Sequence, residues 1–316
     1  MNHKALLMAL VTISLSACIS MRGLTAKGTA SIAPSAEISM RQETSLEAFR
    51  TGAPSGLQML EASLIVDSGN ETLLVSLAKG YNGYAVAVAE TDQLAERVFA
   101  ANTNTARELA IAYHTRAIEK ARAFFSLKGI KWSTNADETA TEIRSLSRDQ
   151  SVSDLTFITA HSLKSLVALQ KGKAAALTYL PLANALTAIA CEGSQKPSYP
   201  DWACDVMTAV ELAEKPAVAG GDINKAKAMF NEVIKKHPTE LMPKALMAQF
   251  VLTKQNSDGD WQQIKTAAHE FRNLQFERQK KIALDPALPV TDPNALLNAA
   301  AQRRIEILAT HEKDFF

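Results

Sequence analysis

Aromatic residues make up only 6% of this 316-residue chain, and no stretch of it alternates apolar with polar residues as a half-buried strand would. Both shortages argue against a sheet protein. Charge of one sign is missing as well: 34 basic and 33 acidic side chains leave a net +1 without a basic stripe, so nothing draws the chain to nucleic acid. Six histidines are scattered, none at the HExxH spacing of a zinc site, and neither a GxSxG elbow nor a phosphate-binding glycine loop occurs. No convergent acid, base or nucleophile is legible, so catalysis is not expected, and no metal or cofactor is implied. Cysteine is scarce too, with Cys18, Cys191 and Cys204 the full set.

The chain instead holds abundant Ala, Leu, Lys and Glu, and 47% of it is apolar, enough for a large helical core. The stretch Gly220–Pro238 organises the reading. Gly220 and Gly221 lead into Asp222, an N-cap whose carboxylate can accept from the first turn. Ala226, Phe230 and Val233 then share one face, and Pro238 ends the run. Small, aromatic, apolar and Pro in that order is the second-helix pattern of a tetratricopeptide hairpin. Leu74, Leu77, Ala78 and Tyr81 follow the first-helix pattern, and Gly56, Leu60, Ser63 and Ser68 stand at the preceding second-helix positions. Such helices bury their apolar faces only against neighbours. The expected architecture is all-α, a tetratricopeptide-like solenoid of about a dozen helices over residues 45–316.

The N-terminus has a basic lead at Lys4 and an apolar run from Ala5 to Leu15, too short to span a bilayer as a mature helix. Leu15-Ser16-Ala17-Cys18 resembles a bacterial lipobox; the alternative is an ordinary signal peptide with a chance cysteine. Residues 1–17 are therefore expected to be a signal peptide and 18–44 a lipidated flexible tether. Ile19 after the Cys favours outer-membrane anchoring, facing the periplasm. In that oxidising compartment Cys191 and Cys204 form an even pair flanking a Gly/Pro-containing loop, and a disulfide between them would contribute about 2–3 kcal/mol.

Four ordered blocks carry a family resemblance: Leu60–Ala85; Tyr113-His114-Thr115-Arg116-Ala117; Gly220-Gly221-Asp222 with the helix behind it; and Asn298–Arg304 together with the terminal Asp314-Phe315-Phe316. With the lipobox, they resemble the T-component of TRAP-type transporters, tetratricopeptide lipoproteins associated with periplasmic solute uptake. The resemblance implies an accessory subunit that docks a TRAP-type solute-binding protein, assembles as a homotrimer and has a passage through each subunit for a small organic or hydrophobic ligand. Where tryptophans would be expected in the middle helix, this chain has Ala160-His161-Ser162-Leu163-Lys164-Ser165, so a passage lined there would differ in character.

Within that frame Arg116 is placed on the inner stripe of a long helix over Thr105–Phe125, with Leu109, Ala112, Tyr113, Ala117, Ala121 and Phe124. It either faces a passage for an organic anion or makes a structural pair with Glu90 or Glu119, the second being the commoner arrangement in packed helices. Tyr81, Tyr84 and Tyr113 either line the passage or, as is more usual at helical spacing, pack. The competing function class is a scaffold lipoprotein that binds peptides in a concave groove and organises envelope machinery.

Overall fold

The computed structural model describes residues 26–316 apart from 102, 134, 147–148, 193–195 and 285–291, and only the backbone of 282 and 283. Every regular element among the described residues is helical. The signal segment and Cys18 lie outside them.

Helix α1 covers residues 26–41. This corrects part of the tether assignment. Ala26, Ala30 and Ala33 are buried, at spacings that place them on one face, and Ala30 and Ala33 join the core around Leu57 and Leu60. The segment reads as a linker because its buried residues are Thr29 and three alanines, which allow close packing while adding little hydropathy. Helix α2, Leu46–Val66, is capped by Ser45, whose Oγ accepts from the Ala48 N–H at 3.1 Å. Asn70 caps α3, Glu71–Tyr84, in the same way through the Leu73 N–H. This helix continues through a π turn, Ala85–Ala89, into α4, Glu90–Val98.

Helices α5 (Thr105–Leu127), α6 (Ala136–Ser145), α7 (Gln150–Leu169), α8 (Ala174–Leu177) and α9 (Leu180–Glu192) follow. The polar stretch 131–150 holds a ten-residue helix, anchored by buried Thr139, Ala140 and Ile143. Ala174–Glu192 is apolar and long enough to cross a membrane by composition. Ala183 and Leu186 of α9 are nevertheless fully buried, and the helix packs against α7.

The second half comprises α10 (Ala203–Glu214), α11 (Ile223–Lys236), α12 (Met242–Met247), a second π turn (Ala248–Leu252), α13 (Thr253–Gln255), α14 (Asp258–Leu284), α15 (Ala295–Ala309) and α16 (Glu312–Phe315). Asp222 accepts from the Lys225 N–H at 2.9 Å, and Ala226, Phe230 and Val233 are buried where α11 packs on α10. Gly220 adopts φ +86°, and a Cβ on Gly221 would lie 1.9 Å from the Lys215 carbonyl oxygen, so both positions require glycine.

Neighbouring helices pack in chain order, α2 on α3, α3 on α5, α5 on α7 and α7 on α9. One apolar core forms there around Leu73, Leu77, Phe124, Leu155 and Leu186. A second core gathers Phe230, Leu252, Trp261, Ile305 and Leu308. The continuous helix from α3 to α4 serves both. Leu73 to Tyr81 lie in the first core, while Tyr84, Val88 and Leu94 lie in the second. The intervening π turn adds a residue to the helical repeat and re-aims the buried face. Helix α15 packs on α12 and also back on α4, a contact between distant parts of the chain that a linear stack of repeats does not make.

Candidate functional site

Where the two cores meet, the apolar interior gives way to a connected group of polar side chains. Glu90 opens α4 directly after the π turn. Its Oε1 accepts from Ser165 Oγ at 3.0 Å and lies 3.0 Å from His114 Nε2. Its Oε2 accepts from Arg304 Nη2 at 3.2 Å. Arg304, on α15, is 2% exposed. It also donates Nε to Thr91 Oγ1 (3.0 Å), Nη1 to Gln249 Oε1 (3.4 Å) and Nη2 to the Val86 carbonyl (2.7 Å). One guanidinium thereby ties both π turns to the Glu90 carboxylate. An unpaired buried guanidinium would be strongly unfavourable, and these partners offset its desolvation.

A directed chain of hydrogen bonds leads to the same carboxylate from the loop after α9, through α3 and α7. Tyr199 O–H donates to Asn82 Oδ1 at 3.3 Å. The Asn82 amide donates to Ser162 Oγ and to His161 Nδ1, each at 3.1 Å. Ser162 has one O–H of its own, and its oxygen lies 3.1 Å from His114 Nδ1. Directing that proton to Nδ1 leaves the His114 ring proton on Nε2, aimed at Glu90. By the same reasoning His161 accepts at Nδ1 and carries its proton on Nε2.

The electrostatics follow from burial. Burial alone would raise the Glu90 pKa, but the hydrogen bond from His114 and the charge of Arg304 outweigh it and hold the carboxyl well below its usual range. Burial pushes His161 down to about 4, assisted by His114, Lys164 and Arg304 and opposed by Glu90. The ring is therefore neutral at pH 7.

Water still reaches this cluster. Val88, Ala89 and Thr91 have no exposed surface, yet the Glu90 side chain between them keeps 21%. Val86, His161, Ser165 and Gln249 are likewise only half-buried. Lys164, adjacent to Ser165, lines an outer cleft of about 530 Å³ between α7, α9 and α10, where it pairs with Glu211.

The residues singled out from sequence lie nearby in a different arrangement. Tyr84 and Tyr113 stack at 4.4 Å, and Tyr81 meets Tyr113 edge-on at 5.6 Å. The Tyr81 hydroxyl donates to Glu61 Oε1 at 2.7 Å, and that of Tyr84 to the Arg50 carbonyl at 3.4 Å. These contacts are those of packing residues. Arg116 is exposed rather than inside, with its guanidinium 5.6 Å from the Tyr81 ring centre and 5.9 Å from that of Tyr113. The buried face of α5 is Ala106, Ala110, His114, Ala117, Ala121 and Phe124. Its small residues admit α3 closely, and the inner polar residue is His114. Glu90, offered as a partner for Arg116, pairs with His114 and Arg304.

Cys191 and Cys204 are joined as a disulfide, with Cα atoms 5.7 Å apart. The loop they close supplies Tyr199 to the cluster. It also supplies Ser198, whose N–H and O–H donate to the buried Asp154 carboxylate at 2.6 Å each. Lys79 completes that site 2.7 Å from Asp154 and also pairs with Glu37 of α1 at 3.2 Å. Among the described residues, no group of His, Cys, Asp and Glu is placed to hold a metal ion.

Residues 42–316 match the family model described as TRAP transporter T-component. Comparison with curated proteins finds no match.

Proposed function

The chain belongs to the TRAP transporter T-component family, and from that premise we propose that it is a periplasm-facing accessory subunit of a TRAP-type solute uptake system. In this role it docks a TRAP-type solute-binding protein and passes a small ligand through its body. Family membership carries the reading, and it describes a transport component rather than an enzyme. The observation that supports a passage is the water-accessible polar cluster between the two cores, because polar groups are placed at such depth only with partners or a use. Attachment through a lipidated Cys18 to the outer membrane, and assembly as a homotrimer, belong to the same proposal.

The alternative is a tetratricopeptide scaffold for envelope machinery. The α10–α11 hairpin favours it, since Gly220, Gly221, Asp222, Ala226, Phe230 and Pro238 follow the repeat pattern. The return of α15 onto α4 favours transport, because it closes the second half onto the first instead of leaving an open concave groove. Affinity purification from solubilised membranes, followed by native mass spectrometry, tests the choice. The transport reading expects a periplasmic solute-binding protein to co-purify. Recovery of envelope assembly factors without one would overturn it.

A further inference from the structure

The cluster has hydrogen-bonding capacity that the protein does not use, and its distribution defines a ligand. Glu90 Oε1 already accepts from His114 and Ser165, whereas Oε2 accepts only from Arg304. A carboxylate oxygen holds two lone pairs, so Oε2 can accept once more. His161 Nδ1 is engaged by Asn82, which leaves its Nε2–H without a partner among the described residues. Gln249 accepts from Arg304 through Oε1, and its NH2 has no partner either. All three side chains are half-buried. Ser165, one helical turn after His161, touches Glu90, and Arg304 joins Glu90 to Gln249.

The cations are the decisive part. Arg304 faces four protein acceptors with its donors, and it is buried. Lys164 is held by Glu211, and Arg116 is outside over the tyrosines. An organic anion entering here would meet the ionised Glu90 carboxylate, and Arg304, the cation in contact with it, is already engaged. An apolar ligand would cover Glu90 and the two free donors without pairing them, leaving buried polar groups unsatisfied. A hydroxyl meets the need from both sides: it donates to Glu90 Oε2 and accepts from His161 Nε2–H or Gln249 Nε2–H.

We propose that Glu90, His161 and Gln249 form a recognition site for a neutral, hydroxyl-rich solute of polyol or sugar type. This rests on the transport reading for its biological purpose but not for its chemistry. His161 is the specificity-determining residue, since a flat apolar ring there would remove the outward donor and favour an apolar ligand.

The test follows the imidazole nitrogen and carbon resonances of His161 in the full-length folded protein. The probes are myo-inositol and D-glucose, with succinate as the anionic and laurate as the apolar comparison. The polyols are expected to shift the His161 signals saturably, and succinate and laurate are not. In Gln249→Leu the same resonances should report affinity at least tenfold weaker. His161→Phe, followed by calorimetry, should lose binding, and His161→Asn should retain part of it. Circular dichroism establishes that each variant is folded. Saturable binding of succinate or laurate in place of the polyols, or unchanged polyol binding by folded His161→Phe, would overturn the proposal. Polyol binding without co-purification of a solute-binding protein would sink the transport reading and leave the site standing. Co-purification without polyol binding would do the reverse.

Discussion

Arg304 and Glu90 are separated by most of the chain and joined across its interior, and their pairing sets what single substitutions do. Arg304→Leu removes the cation and leaves Glu90 Oε2, Thr91 Oγ1 and the Val86 carbonyl without the donor it supplies. Stranding a buried partner costs about 3–5 kcal/mol, so urea melts should show a loss of that order. Arg116→Gln should change stability by about 1 kcal/mol or less, because an exposed cation–π contact contributes no more than that. Equal losses from the two substitutions would contradict this division of roles. The pH response has a definite sign. His161 titrates at about 4 in the folded chain, below the ordinary value near 6.5. Between those values the unfolded chain binds the proton first, so stability falls as pH drops from about 6.5 towards 4. Glu90, held low, adds a loss in the same direction once pH falls below the ordinary carboxylate range. Urea midpoints measured across pH 4–7 should decline towards acid, and His161→Asn should flatten the upper part of the curve. An unchanged slope in that variant would place the titration elsewhere.

At the scale of elements, the α10–α11 hairpin is where the sequence pattern and the structure meet most closely. Phe230 is fully buried, and removing its ring should cost about 3–5 kcal/mol. Asp222→Ala removes only the cap on the Lys225 N–H and should cost about 1 kcal/mol. Denaturant titration of the two variants checks both the size and the order of these losses. This hairpin was legible because Gly-Gly-Asp, the small–aromatic–apolar spacing and Pro each act locally. Helix α1 was not, since its buried alanines carry no hydropathy signal. The π turns were not legible either, because Ala-Val-Ala-Val-Ala is compatible with an ordinary helix. For the cluster, the signal was partial. His161 and Ser165 stood out as polar replacements in a middle helix, and Arg304 closes the Asn298–Arg304 block that carries part of the family resemblance. Their convergence on Glu90 depends on the return of α15 to α4, which no local pattern encodes. Arg116 was misplaced for a related reason: α5 buries alanines, so choosing its inner face by the larger side chains rotates it.

At the scale of the whole molecule, the described residues form a helical body with a polar interior. Under the lipoprotein proposal, Cys18→Ser should release the chain from membranes, and fractionation of cells carrying that variant reads the result directly. Persistence in the outer membrane would reject lipid attachment at Cys18 without touching the interior site. The central claim, an accessory role in TRAP-type uptake, is tested most directly by solute uptake in cells from which this chain has been deleted. Uptake through the cognate TRAP system should fall on deletion and return when the wild-type chain is restored. Uptake that is indifferent to both deletion and restoration would contradict the account.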